Sequence, residues 1–259
     1  MSKFLGLFIF IFSAKAFAGN LNSNLTAPAA FGIDTTWPID ANQASCFARA
    51  GYKAGFFRIA SRGETDQTGI TNVLKFYDAS LAFEVYVTPS PLGYADRQFE
   101  QAYEFARLNN LNLNRLWLQI TSPIQWDRRQ SANVRFINDF VRAGKSRNVR
   151  IGFYTNWYDY EEITGNSRAI DSADLWYWHV LGGGANGETA RDFNDFRSFG
   201  PFLQYPLVKQ YGIGENPCSV SANQNVFAAG SFKASGAMEI GMGASVMVKK
   251  DESENKTKQ

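Results

Sequence analysis

The single histidine, His179, stands in the apolar run "LWYWHV", and the chain has two cysteines, Cys46 and Cys218. Zinc clusters, Cys–His dyads and Ser–His–Asp triads all lack parts in this inventory. No metal ligands and no cofactor are therefore expected, and His179 reads as a hydrogen-bonded strand residue. Carboxylates and aromatic rings remain, which is the equipment of a carbohydrate site: carboxyls move protons at a glycosidic bond, and rings stack on apolar sugar faces. Rings gather where the apolar runs end, at Trp37, Tyr154, Trp157, Trp176, Tyr177, Trp178 and Tyr211. One stretch disagrees with catalysis. "RLWLQIT" (115–121) reads as a buried strand, and its positions 119 and 121 share one side of that strand. They hold Gln119 and Thr121, which neither keep nor release a proton near neutral pH.

The elements that must position these residues alternate. Strands are expected at "FGIDTT", "GFFRIA", "AFEVYVTP", "RLWLQI", "VRIGFYTN", "DLWYWHV", "LVKQYGI" and "QNVF". Helical stripes lie between them at "NQASCFARAG", "GITNVLKFYDAS", "ADRQFEQAYEFARLNN", "ANVRFINDFVRAGKSRN" and "WYDYEEITG". In the second of these, Ile70, Val73, Leu74 and Tyr77 fall on one face. Strand and helix recurring every ~30 residues imply βαβ units and a parallel sheet. The fold class expected is α/β: a small or irregular (β/α) TIM-like barrel with mostly parallel strands. A doubly wound open sheet is the alternative, but "LGGGANGE" (181–188) precedes no helical pattern and reads as a plain glycine loop.

The first eighteen residues, "MSKFLGLFIFIFSAKAFA", combine Lys3, an apolar run and small residues at 16 and 18, the pattern of a secretory signal. Four segments are expected: 1–18 signal peptide, 19–30 flexible, 31–227 barrel, and 228–259 a largely disordered tail that ends charged. The 26 basic residues exceed the 24 acidic ones, and losing Lys3 and Lys15 with the leader balances them. Balanced charge gives no electrostatic case for nucleic acid or an anionic membrane. A secreted monomer is expected. In an oxidising compartment Cys46 and Cys218 would pair, with two buried free thiols as the alternative. Asn24 in "NLT" and Asn255 in "NKT" are candidate glycan acceptors.

The stretches "FGIDTTWPID", "CFARAGYKAGFFRIASRGETDQTGITNV", "VRIGFYTNWYDYEEITG", "LWYWHV", "FNDFRSFGPFLQYPLVKQY" and "CSVSANQNVF" together resemble a glycoside hydrolase family 25 lysozyme, in its secreted nematode-type branch. The similarity runs from Phe31 to Phe227, with the pieces in order and at the right gaps. It implies a (β/α) barrel, muramidase ancestry (cleavage of the β-1,4 bond after N-acetylmuramic acid in peptidoglycan) and a role in antibacterial defence. It also implies four acidic positions. Asp34 matches the first, whereas the family's "LWLDIE" is here "LWLQIT", so Gln119 and Thr121 replace an Asp and a Glu. Asn223 in "SANQNVF" stands where the last Asp belongs.

Glycoside hydrolysis needs one carboxyl to protonate the leaving oxygen and another to support the oxocarbenium-like centre. Loss of general acid catalysis alone costs ~10²–10⁴ in rate. Three readings follow: a lysozyme-like protein that binds cell-wall peptidoglycan or a related N-acetylated glycan with little or no turnover; a hydrolase using Asp34 with a relocated acid; and a non-catalytic interaction barrel. Sugar-stacking candidates are Tyr154, Trp157, Tyr177 and Tyr211, with Asp34, Gln119 and Asn223 as polar partners. Asp127, Asp159, Glu161, Glu162 and Glu84 each read as solvated or structural carboxylates.

Overall fold

The computed structural model describes residues 29–172, 174–228 and 240–247. The expected leader, Asn24 and Asn255 lie outside the described residues. Eleven strands are found there: β1 (Ala29–Thr35), β2 (Ala54–Ser61), β3 (Glu64–Thr65), β4 (Ala82–Thr88), β5 (Leu111–Leu113), β6 (Arg115–Gln119), β7 (Arg150–Thr155), β8 (Leu175–Trp178), β9 (Val208–Glu215), β10 (Ala222–Ala228) and β11 (Ala244–Val246). The α-helices are α1 (Ala41–Arg49), α2 (Gln67–Asp78), α3 (Ala95–Leu108), α4 (Gln130–Ser146) and α5 (Trp157–Thr164).

Eight strands close a barrel in the order β1, β2, β4, β6, β7, β8, β9, β10, with β10 returning to β1. Neighbours are parallel from β1 round to β9. β10 runs antiparallel to both β9 and β1. The reason is length: Asn216–Ser221 is too short for the crossover a parallel connection needs, so the chain turns straight back. The expected TIM-like barrel is present, irregular at this seam.

Helices begin where local chemistry satisfies their first N–H groups. Asp40 caps α1 in a reciprocal box with Gln43 (2.8 and 2.9 Å). Asn156 caps α5 by accepting from the Asp159 N–H at 2.8 Å. Apolar faces of α1 to α4 cover the outer face of the strands. On α2 the buried stripe is Ile70, Val73 and Phe76, whereas Leu74 and Tyr77, expected on that face, are exposed. The interior is a packed aromatic column of Phe56, Tyr86, Trp117, Tyr154 and Trp176, with Tyr154 stacked on Trp176 at 4.2 Å. Gly152 makes room for it, since a Cβ there would lie 2.5 Å from the Trp117 ring. The barrel is therefore a filled core that opens to a ligand only at an end.

The floor, at the strands' N-terminal ends, is ionic. Glu84 is fully buried and accepts from Arg115 (2.7 and 3.1 Å) and Trp117 Nε1 (3.0 Å). Asp174 accepts twice from Arg150 at 2.8 Å. The backbone of Gly241 and Gly243 also donates to Glu84, at 2.7 and 3.2 Å, and β11 pairs with β5. Residues 240–247 were expected within a disordered tail; instead they dock on the floor. Composition hid this because the anchor is backbone against carboxylate: a Cβ at Gly243 would sit 2.2 Å from Glu84 Oε2. Cys46 on α1 is joined to Cys218 in the turn before β10, with Cα atoms 5.9 Å apart.

Candidate active site at the barrel mouth

The other end of the barrel, at the strands' C-terminal ends, gathers most of the polar residues singled out above. Asp34 is the penultimate residue of β1 and is only 4% exposed. Its carboxylate accepts from three neutral amides: Gln210 Nε2 at 2.7 Å, Asn225 Nδ2 at 2.8 Å and Asn223 Nδ2 at 2.8 Å. Burial raises the Asp34 pKa above the usual carboxylate value, and the three amides only partly oppose it. The amides are themselves fixed: Tyr154 donates its hydroxyl to Gln210 at 2.9 Å, Trp176 Nε1 donates to Asn225 at 2.8 Å, and Asn223 accepts from the Gly214 N–H at 3.1 Å. Asn223, standing at an expected acidic position, thus serves as a donor to the acid that remains.

At the end of β6 the two other positions expected to be acidic engage each other. Gln119 donates to Thr121 Oγ1 at 3.0 Å and accepts from Thr88 at 2.6 Å. This amide–hydroxyl pair has no group that could protonate a leaving oxygen.

Four aromatic candidates divide. Tyr154 faces inward, in the column beneath the mouth, where burial and the nearby Asp34 hold its phenol protonated. Trp157 opens α5 and is 53% exposed. Tyr177 and Tyr211 were expected on the rim but present no face to it. Each neighbours an inward residue (Trp176 and Gln210), so strand alternation turns it outward. Tyr177 packs on Phe196 and Phe199, Tyr211 on Phe193 and Val226, and both are buried. His179 is also on the outer side, 2.5 Å from Asp195, which Lys209 holds at 2.6 Å. Exposed Trp37 lines a shallow cavity of about 200 Å³ with Pro38, Gln43 and Ser221, beyond β1. Trp157 lines another of about 220 Å³ with Glu161, Asn166 and Arg197, beyond β7. Counting strands in either direction, β1 and β7 are opposite each other, so the two tryptophan cavities flank the mouth from opposite sides.

Of the other carboxylates, Asp127 is paired with Arg129 and its pKa is lowered to about 2, while Glu161 and Glu162 are exposed. Asp159 differs. It was expected to be solvated or structural, yet it is 4% exposed at the mouth and accepts from Trp178 Nε1 at 3.1 Å. Burial raises its pKa to about 6, against the Trp178 and Ser122 N–H groups. Sequence reasoning passed over it because helix-start acids are ordinarily solvated; its one signal was its place two residues after Trp157.

The family described as "Lysozyme-like protein 1" matches residues 25–211. Lysozyme-like protein 1 of Caenorhabditis elegans is 38% identical over 215 residues, covering 80% of this chain and 71% of the relative. A family GH25 lysozyme from Aspergillus fumigatus superposes with a TM-score of 0.60 at 12% identity, over 78% of this chain and 95% of the other. The modular autolysin LytC from Streptococcus pneumoniae, solved in complex with a synthetic peptidoglycan ligand, gives a TM-score of 0.57 at 15% identity, over 77% of this chain and 46% of that one. At such identities the two solved structures establish the fold alone. Membership rests on the family match and the nematode relative: the chain belongs to the lysozyme-like proteins, a nematode branch of the glycoside hydrolase family 25 barrel.

Proposed function

We propose that this chain is a secreted lysozyme-like protein of innate defence that binds bacterial cell-wall peptidoglycan across the barrel mouth, with muramidase activity strongly reduced. The observation that carries the reading is the pairing of a polar mouth with exposed tryptophans on both flanks. Asp34, Gln119 and Asn223 offer hydrogen-bonding groups, and Trp37 and Trp157 are 62% and 53% exposed beside open cavities. A glycan strand is amphipathic in this sense, with apolar ring faces for stacking and hydroxyls for the polar groups between. Reduced turnover follows from chemistry, since Gln119 and Thr121 satisfy each other and supply no acid.

Sedimentation with insoluble peptidoglycan, run beside a turbidity assay on bacterial walls, tests this. The protein should pellet with the glycan, and the Trp37→Ala, Trp157→Ala double variant should stay largely in the supernatant while melting at an unchanged temperature. Wall clearing should be slower by ~10² or more than in the variant that restores Gln119→Asp, Thr121→Glu and Asn223→Asp. Protein that remains soluble in excess peptidoglycan would overturn the binding reading. Rapid clearing by the parent would overturn the reduced activity.

A further inference from the structure

We propose that Asp159 is a relocated proton donor, giving the mouth a slow glycosidase activity that does not use the β6 positions. The inference rests on the reading that a glycan lies across this mouth. Among the described residues four carboxylates are buried: Asp34, Glu84, Asp159 and Asp174. The two at the floor are ion-paired with arginines, whereas Asp34 and Asp159 form no ion pair. Burying a carboxyl without a cation is costly, and the cost falls when the group carries its proton. A buried carboxyl kept at the open end of a barrel without a counter-charge is therefore suited to holding a proton and giving it away.

Placement supports the role. Asp159 lies in the first turn of α5, directly after β7, with its backbone fixed by the Asn156 cap. β7 is the neighbour of β6 and stands opposite β1, and Tyr154 on β7 lies within electrostatic reach of both Asp159 and Asp34. The Ser122 amide that bears on its carboxyl directly follows Thr121. The acid thus approaches the end of β6, where the family resemblance expects one, from the adjacent strand. Trp178 holds Oδ2, and Trp157 and Tyr158, each about half exposed, precede the donor in the chain. The titratable group that feels its charge is Tyr154 on β7, and Glu161 and Glu162 are exposed on its own helix. Its pKa of about 6 keeps a usable protonated fraction in mildly acidic solution.

In the step itself, protonated Asp159 gives its proton to the glycosidic oxygen as the C1–O bond breaks. The leaving sugar departs as an alcohol and Asp159 is left as carboxylate. Asp34 supports the positive charge at C1 electrostatically. A water adds to C1 and releases one proton to solvent through the open mouth, from which Asp159 is reprotonated. The net change is one glycosidic bond and one water exchanged for two hydroxyls.

The test is a prolonged incubation of the full chain with purified peptidoglycan, reading new reducing ends by mass spectrometry and binding by sedimentation on the same samples. The parent should release reducing ends slowly, at a rate that falls as pH rises above about 6. Asp159→Asn, which keeps an acceptor for Trp178, should pellet like the parent, melt no lower than the parent and lose ~10²-fold or more of the rate. Asp159→Glu should retain part of the rate and the acidic limb of the profile, which a purely structural role would not produce. Binding without any bond cleavage, or equal rates in parent and Asp159→Asn, would overturn the proton-donor role and leave glycan binding intact. Failure to pellet would overturn both.

Discussion

The two ends of this barrel bury the same functional group in opposite ways. At the floor, Glu84 meets Arg115 and Trp117 and is sealed by the backbone of Gly241 and Gly243. At the mouth, Asp34 meets three neutral amides, and Asp159 an indole. Charge compensation makes the floor a structural joint, because a paired ion is stable only while both partners stay. Amides and indoles stabilise a carboxylate without cancelling its charge, so the mouth keeps acids whose protonation responds to surroundings. The difference separates groups retained for stability from groups available for chemistry.

The comparison predicts a graded series of effects. The largest belongs to the floor: Glu84→Ala leaves Arg115 buried beside a lost partner and should cost ~3–5 kcal/mol in urea unfolding. Next comes the covalent tie that fastens α1 to the loop before β10, on the mouth side. Cys218→Ala should cost ~2–5 kcal/mol, measured the same way with the parent as reference. Asp159→Asn should act in the opposite direction. A carboxyl with a raised folded pKa contributes its stability below its unfolded value, near 4, and loses it as pH rises through about 6. The Asn variant should therefore match the parent near pH 4 and exceed it by on the order of 2 kcal/mol near pH 7.5. Thermal melts across that range check the sign; an Asn variant less stable at the higher pH would place Asp159 with the floor carboxylates instead. The smallest effect on folding is at the exposed ring: Trp157→Ala should change stability by less than ~0.5 kcal/mol. The same change should weaken peptidoglycan binding by ~5–10-fold, read by titration with soluble fragments.

Much of the fold was legible because apolar periodicity is written locally. The eight barrel strands and the five helices fall where alternating runs and stripes put them, and Asp34 lies at a strand end as expected. The phase of the strands was not legible. In a barrel wrapped by helices, both faces of a strand are apolar, so hydrophobicity gives no sign of which side points inward. Tyr177 and Tyr211 read as rim rings for that reason, and Tyr154, one strand over, points the other way. Gln210 and Asn225 were passed over because a buried amide carries no sequence signal until its partner is known.

By itself, then, the sequence determined the βα alternation, the residues without a carboxyl at 119, 121 and 223, and an inventory of two cysteines and one histidine. These depend on residue type and short-range spacing alone. Tertiary structure decided the rest. It set the antiparallel return of β10, the docking of 240–247 on Glu84, and the outward turn of two tyrosines. It also left Asp159 buried without a cation. Each of these depends on which distant groups share a low-dielectric space, and burial and charge pairing are properties of the folded neighbourhood, not of the residue.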